Sequence, residues 1–341
     1  MELITTNQSN IIQHNGSLVG IGQMANEIVN ENVFGLYRTD KSVNTIKTHK
    51  RVVEQWGDYL LSVGASVGDM WADPSAWVGV THGLVTGFKL WALAKGNAIG
   101  TISTWLKTVR RYALLASSAG HIPAHEAMLI KAVKISQNSK AKQNTDAKRE
   151  KTRVGRKKAV ANVLDEGQVK TIYRSIDTGT ETGKRDKLIA HLMFEHGLRM
   201  GEILILSQSS FKRGTMTFDR PKVGLTDQTH KLTRNTKRAL KAYKALGTDG
   251  PFLQSSKRGK KLSGRVLSQS SLKRIVKAWG EVVGVSNLSP HDARHTLATG
   301  LARKGYSAAQ LLDFFGWGSL TTAQNYIERN KVGNEGIDSA W

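Results

Sequence analysis

The chain has 341 residues, 39% of them hydrophobic and eight of them tryptophan, enough to bury real cores and to exclude wholesale disorder. Its 50 Lys and Arg against 27 Asp and Glu leave a formal charge of +23, an excess that favours a polyanionic partner, nucleic acid first. The absence of cysteine excludes a disulfide framework, a Cys-based zinc finger and a thiol nucleophile. No apolar run approaches the ~18 residues of a membrane span, and the opening MELITTNQSN has neither a basic leader nor an apolar h-region, so a soluble, cytoplasmic protein is expected.

At roughly 150 residues per domain the length predicts two domains. Residues 1–35 are rich in Asn, Gln, Ser and Gly without apolar periodicity and read as a flexible N-terminal arm. Residues 36–135 read as a small helical domain with basic faces. Ile46, Val53, Trp56 and Leu60 recur at helical spacing behind Ser42 as an N-cap, with Lys47, Lys50 and Arg51 beside them. A second helix is predicted over Gly83–Ala94, carrying Leu84, Phe88 and Trp91. A third spans Ile99–Ser117, with Ile102, Leu106, Val109 and Leu114 inside and Lys107, Arg110 and Arg111 outside. Between Lys134 and Lys158 ten Lys and Arg stand against two acids, Asp146 and Glu150, with almost no large apolar residue. Residues 136–163 therefore read as a basic linker, which is a solvated spacer and equally an extended strap across phosphates.

Residues 164–330 form the second predicted domain. Asp165–Ile176 and Lys187–His196 read as helices, and Gly197 breaks the second. Over Arg213–Leu232 the pattern changes: Met216, Phe218, Val223 and Leu225 among Gly, Asp and Thr predict short strands around a turn. Arg234–Leu246 and Ser270–Val283 return to helical spacing. His291–Lys304 is helical and stops at Gly305, Ser307 and Gln310 form a capping box for a helix ending at Gly316, and Ser319 caps a last helix through Asn330. Residues 331–341 are a polar tail with Ile337 and Trp341 as its apolar points.

Four places in the second half carry chemistry. In His196-Gly-Leu-Arg199-Met-Gly-Glu202 an arginine opens a helix and a glutamate follows three residues later. His291-Asp-Ala-Arg294 presents an imidazole and a guanidinium at the same spacing. Phe315-Gly-Trp317-Gly puts an aromatic on a glycine-flanked turn, and Tyr326 follows nine residues later. Singly, each is more often a surface pair or a core aromatic. In this order and spacing they resemble the tyrosine recombinase (phage integrase) family, and the tryptophan, where many relatives carry histidine, is similar to its Cre-like members. The helical first domain is similar to the family's core-binding domain. The resemblance implies a mainly α fold with a small β-sheet in the catalytic domain: a two-domain C-shaped clamp made of a helical, SAM-like core-binding domain and an α+β tyrosine recombinase catalytic domain.

The family's roles fall on matching positions and agree with what the side chains can do. Arg199 and Arg294 would hold the non-bridging oxygens of one phosphate and offset the charge of a pentacoordinate transition state. Tyr326 would attack the phosphorus and form a covalent phosphotyrosine that conserves the bond energy, without metal, cofactor, water or ATP. His291 would manage protons, as base or as hydrogen-bond donor. Trp317 would donate its indole N–H to a phosphate oxygen, and Glu202 would orient His291 or an arginine. The leaving 5′-oxygen needs a proton, which the family supplies from a lysine on a β-turn. Lys222 is the best match, with Lys212 and Lys231 also open. In the first domain Thr45, Lys47 and Lys50 on one helix and Thr101, Ser103, Lys107 and Arg110 on another are expected to touch DNA.

The implied activity is site-specific recombination of double-stranded DNA. Protomers cut strands at inverted repeats around a spacer and exchange them through a Holliday junction, as a homotetramer on two DNA sites. The implied protein is nucleoid-associated, of bacterial, phage or plasmid origin, and its tail packs in cis or on a neighbouring protomer. A topoisomerase-like or telomere-resolving enzyme shares the chemistry with a different product, and a DNA-binding regulator without catalysis is the rival of another class.

Overall fold

The computed structural model describes residues 18–151, 161–221, 224–257 and 260–328, and the chain divides into two compact units, Met1–Lys158 and Ala159–Trp341. Among the described residues the α-helices of the first unit are α1 Leu18–Glu31, α2 Val33–Thr39, α3 Val43–Ser62, α4 His82–Ala94, α5 Ile99–Ser118, α6 Ala124–Ala132 and α7 Ser139–Ala147, with no strand between them. Local chemistry starts these helices. The Ser42 side chain accepts the Thr45 N–H at 3.2 Å to cap α3, and Thr81 accepts from Leu84 N–H at 3.3 Å to cap α4. Helix α5 is the central one, burying Ile102, Leu106, Val109, Tyr112 and Ala113. Around it lies an aromatic core. Trp56 stacks on Trp77 with ring centroids 6.1 Å apart and meets Phe88 edge-on at 5.3 Å, and all three are fully buried.

Two expectations are corrected. Residues 18–35, read as part of a flexible arm, lie in helices α1 and α2. Helix α1 fully buries none of its residues, and its apolar stripe of Ile21, Met24, Ala25 and Ile28 is half-buried, set among Asn, Gln and Gly. Residues 139–147, read as extended linker, form α7. The Asn138 side chain caps it by accepting from Lys140 N–H at 2.9 Å, and Arg149 fastens its end, pairing with Asp146 at 2.6 Å and donating to the Asn97 carbonyl at 2.8 Å. A cap and two charge-assisted contacts thus offset poor apolar content. The remainder of the expected arm and part of the expected linker lie outside the described residues, as does the tail.

The second unit packs helices around two small antiparallel sheets. Its elements are α8 Glu166–Ser175, α9 Glu181–Phe194, α10 Met200–Leu204, β1 Phe211–Lys212, β2 Thr215–Arg220, β3 Leu225–Lys231, α11 Arg234–Lys244, β4 Gln254–Ser256, β5 Leu262–Val266, α12 Gln269–Val282, α13 Pro290–Arg303, α14 Ala308–Phe315 and α15 Leu320–Glu328. Strands β1, β2 and β3 form a meander in which Thr215 pairs with Lys212 on one side and Lys231 on the other, and Arg220 pairs with Leu225 at the far end. Helix α9 begins at Glu181 rather than near Lys187, because the Thr180 hydroxyl accepts the Gly183 N–H at 3.1 Å and starts the helix earlier. The β4–β5 pair has no counterpart in the sequence reading. The main core runs through Leu188, Leu192, Ile203, Met216, Leu272 and Val276, and a satellite cluster of Ala298, Leu311, Phe315 and Ala323 joins α13, α14 and α15.

A buried polar knot ties the end of α9 to the start of α11. The Glu195 carboxylate accepts from His191 Nδ1 at 2.9 Å, Asn235 Nδ2 at 3.1 Å, and the hydroxyls of Thr233 and Thr236. Burial alone would raise the Glu195 pKa, but the bonds from His191 and Thr233 and the His191 charge outweigh it and hold it at about 2. His196, bonded at Nε2 to Thr236 Oγ1 at 3.1 Å, is 2% exposed, and burial pushes its pKa down to about 4 although the Glu195 charge opposes this. In acid the unfolded chain therefore takes up a proton on His196 near pH 6.5 that the folded chain takes up only near 4.

Stability of the second unit should accordingly fall as pH drops from 6.5 toward 4, and further as Glu195 protonates below its ordinary value. His196→Gln should remove about 3 kcal/mol of that pH dependence, read by scanning calorimetry across the window. Identical slopes in variant and wild type would contradict it. In the first unit Trp56→Ala should cost about 3–5 kcal/mol, measured by denaturant unfolding.

Candidate active site

The chain leaves α9 through Gly197, whose φ of 62° and position against Phe315 require glycine: a Cβ there would lie 2.5 Å from the Phe315 ring. Two residues on, Arg199 becomes the N-cap of α10. Glu202, in the first turn of that helix, accepts from Arg199 N–H at 2.9 Å with one oxygen and from Arg199 Nη1 at 2.6 Å with the other. The carboxylate is almost fully buried and fixes the direction of a guanidinium that keeps some solvent exposure.

Arg294 comes from α13 and points inward. It donates from Nη1 to the Gly197 carbonyl at 2.6 Å and from Nη2 to the Phe315 carbonyl, and its guanidinium sits 4.8 Å from the Phe315 ring and 5.9 Å from the Trp317 ring. Arg220, at the end of β2, donates to the same Phe315 carbonyl and, at 2.8 Å, to that of Phe314. The turn they grip is held by Gly316 in the left-handed region (φ 54°), where a Cβ would strike the Arg220 side chain at 2.8 Å. His230, on β3, stacks on Phe314 at 4.6 Å and lies 3.3 Å from Arg220 Nη2. Burial pushes the Arg294 pKa down to about 9, and the nearby Arg199 and Arg220 charges add to this while Glu202 and Tyr326 oppose it. Three cationic groups and one carboxylate thus share a small volume, an arrangement that favours an anion.

Tyr326 belongs to α15, and its ring stacks almost parallel on Trp317, 5.1 Å away at 5°. Trp317 in turn stacks on Phe315 at 4.7 Å, so an aromatic ladder runs from the arginine-held turn to the tyrosine. The Tyr326 hydroxyl is hydrogen-bonded to Nδ1 of His295, whose ring centre is 5.6 Å from that of the tyrosine. His291, one turn earlier on α13, is exposed.

The fold therefore gathers Arg199, Glu202, Arg294, Trp317 and Tyr326 around one turn, with His291 at the start of the helix that carries Arg294. Lys222 lies outside the described residues, two positions along the chain from Arg220. Lys212 and Lys231 flank Thr215 at the opposite end of the sheet from Arg220. At about 3.3 Å per residue, the five steps along β2 from Thr215 to Arg220 span roughly 16 Å. Sequence reasoning missed Arg220, His230 and His295. The signal of Arg220 is a long-range contact, to the Phe314 and Phe315 carbonyls, that no local pattern carries. His295 was visible only as the residue after Arg294.

In the first unit α3 and α5 line a concavity of about 690 Å³ that brings together Thr45, Lys107 and Arg110 of the expected DNA contacts, along with His49, Thr104 and Arg111. Lys47, Lys50, Thr101 and Ser103 do not line it.

Residues 162–332, half of the chain, match the model of the phage integrase family. Tyrosine recombinase XerD of Neisseria meningitidis serogroup B is 27% identical over 193 residues, which cover 53% of this chain and 62% of that protein, less than two thirds of its length. Tyrosine recombinase XerC of Thermodesulfovibrio yellowstonii is 26% identical over 259 residues, covering 71% and 76%. Among solved structures, the Tn1549 transposon integrase in complex with transposon right end DNA matches with a TM-score of 0.58 at 13% identity, covering 87% of this chain and 94% of that one. A lambda integrase dimer bound to a COC′ core site matches with a TM-score of 0.56 at 16% identity, covering 89% and 94%. At those identities the likeness is one of fold: mainly helical, two domains, with small antiparallel sheets. With its arginines, tryptophan and tyrosine set around one turn inside the matched segment, the chain belongs to the phage integrase family.

Proposed function

We propose that this chain is a site-specific DNA recombinase that breaks and rejoins strands through a 3′-phosphotyrosine on Tyr326. The observation that carries the reading is the stacking of Tyr326 on Trp317 within the field of the buried Arg294, with Arg199 and Glu202 beside it. A regulator that only binds DNA needs no tyrosine in such a field.

Arg294 spends two of its donors on carbonyls, which fixes its plane and leaves the others for a phosphate oxygen. Arg199, aimed by Glu202, takes the second non-bridging oxygen. Both sets of bonds strengthen as charge grows on the pentacoordinate phosphorus. Trp317 closes one wall and offers its N–H. Tyr326 attacks, the 5′-oxygen leaves, and the phosphotyrosine keeps the energy for rejoining. Lys222 is assigned as the acid for the leaving oxygen, since Lys212 and Lys231 stand at the wrong end of the sheet, and His291 serves the phosphate from the open end of its helix. Thr45, Lys107 and Arg110 meet DNA from the first unit, on double-stranded sites of inverted repeats, and a homotetramer on two sites exchanges strands through a Holliday junction. Such a protein works in the cytoplasm on the nucleoid.

The test uses duplexes from the DNA flanking the coding sequence that carry candidate inverted repeats, nicked so that rejoining is blocked. Wild type should form a detergent-stable, protease-sensitive adduct and Tyr326→Phe none; tight binding without an adduct would sink the enzyme reading. Arg294→Lys should slow adduct formation by roughly 10²–10³-fold, because one ammonium cannot replace the planar fork. For binding, Lys107→Ala should lower the slope of log K against log salt by about 0.9, one phosphate contact, and an unchanged slope removes Lys107 from the interface.

A further inference from the structure

We infer that His295 is the catalytic base for Tyr326, taking the phenolic proton during cleavage and returning it during rejoining; this rests on the recombinase reading above. An imidazole is bonded to the Tyr326 hydroxyl: His295 Nδ1 meets it, and the two rings are inclined at 32° with centres 5.6 Å apart. Trp317 holds the other side of the phenol in a near-parallel stack, so the hydroxyl has a defined direction toward Nδ1.

The placement follows from helix geometry. His291 and His295 are four residues apart on α13 and share a face, the first exposed at the helix start and the second half-buried one turn deeper. Arg294, about 100° around the helix from His295, faces the Gly197 and Phe315 carbonyls instead. One turn of helix thereby supplies a guanidinium for the phosphate and an imidazole for the nucleophile.

A phenol titrates near 10 and is a weak nucleophile at neutral pH, whereas an imidazole titrates near the working pH and suits proton transfer. In the proposed step the Oη–P bond forms as the P–O5′ bond breaks, and the phenolic proton passes to Nδ1 of neutral His295. The 5′-oxygen takes its proton from the acid on the leaving side, assigned to Lys222. In the reverse step the 5′-hydroxyl attacks phosphorus and returns its proton to the group on the leaving side, assigned to Lys222, the P–Oη bond breaks, and His295 gives the phenolic proton back to Oη.

The test uses the nicked duplex on which wild type forms the Tyr326 adduct, made also with a 5′-bridging phosphorothiolate, whose sulfur leaves without needing a proton. His295→Ala and His295→Asn should bind this duplex as wild type does and form the adduct roughly 100-fold more slowly. The phosphorothiolate should restore cleavage to Lys222→Ala and not to either His295 variant. Adduct formation by His295→Ala within about threefold of wild type would overturn the assignment. Full recovery in His295→Asn would also overturn it, because the amide can keep a hydrogen bond but cannot take a proton, and so would rescue by the sulfur leaving group. No adduct from wild type on any duplex would instead overturn the recombinase reading, and the His295 role with it.

Discussion

One carbonyl organises the catalytic unit. The Phe315 oxygen accepts from both Arg220 and Arg294, so the end of strand β2 and the second turn of helix α13 are pinned to the same peptide. Everything chemical hangs from that peptide: Gly316 turns the chain, Trp317 stacks on Phe315, and Tyr326 stacks on Trp317. Burying two guanidinium groups beside a third is unfavourable in itself, which is why the Arg294 pKa is pushed down to about 9. Backbone carbonyls and the single carboxylate of Glu202 offset part of that cost, and a phosphate would offset more. The strain of like charges is thus stored where an anion relieves it.

Local features of this fold were legible in the sequence because their causes are local. Ser42, the Ser307–Gln310 capping box and the left-handed Gly316 each act within a few residues, and each stands where the pattern places it. The order and spacing of Arg199, Arg294, Trp317 and Tyr326 were legible through family resemblance, since none of the four has a distinctive neighbourhood. What escaped is long-range or weakly patterned. Arg220 reaches 95 residues along the chain to the Phe315 carbonyl, and His196 reaches 40 to Thr236. Helix α1 keeps its stripe of Ile21, Met24, Ala25 and Ile28 only half-buried, and α7 is held by charge and a cap with no buried residue.

The two units bury their apolar groups by different means. The first relies on interlocked rings, Trp56, Trp77, Phe88, Phe34 and Tyr112, that hold long helices whose outer faces are basic. Rigid rings let Thr45, Lys107 and Arg110 be presented from two different helices at one concavity. The second mixes aliphatic core with buried polar groups, Arg185, His191, His196, Glu202, Arg220 and Arg294 among them. Each such group must be satisfied by a specific partner, which costs stability and confers a unique arrangement.

Helix α13 shows how far that specification goes. Pro290 opens the helix, and Ser289 and Asp292 form its capping box, with the Asp292 carboxylate also accepting from Asn162 N–H at 3.2 Å. Ala293 is fully buried, Arg294 turns to two carbonyls, His295 turns to Tyr326, and Thr296 accepts from Leu164 N–H at 3.0 Å. Because successive side chains on a helix are about 100° apart, five neighbours address the core, the Gly197 and Phe315 carbonyls, Tyr326 and the incoming chain without competing for space. A shift of one residue would rotate the guanidinium off Gly197 and Phe315 and the imidazole off the tyrosine together. The cap at Ser289 and Asp292 therefore does more than begin a helix: it sets the rotational register on which both groups depend.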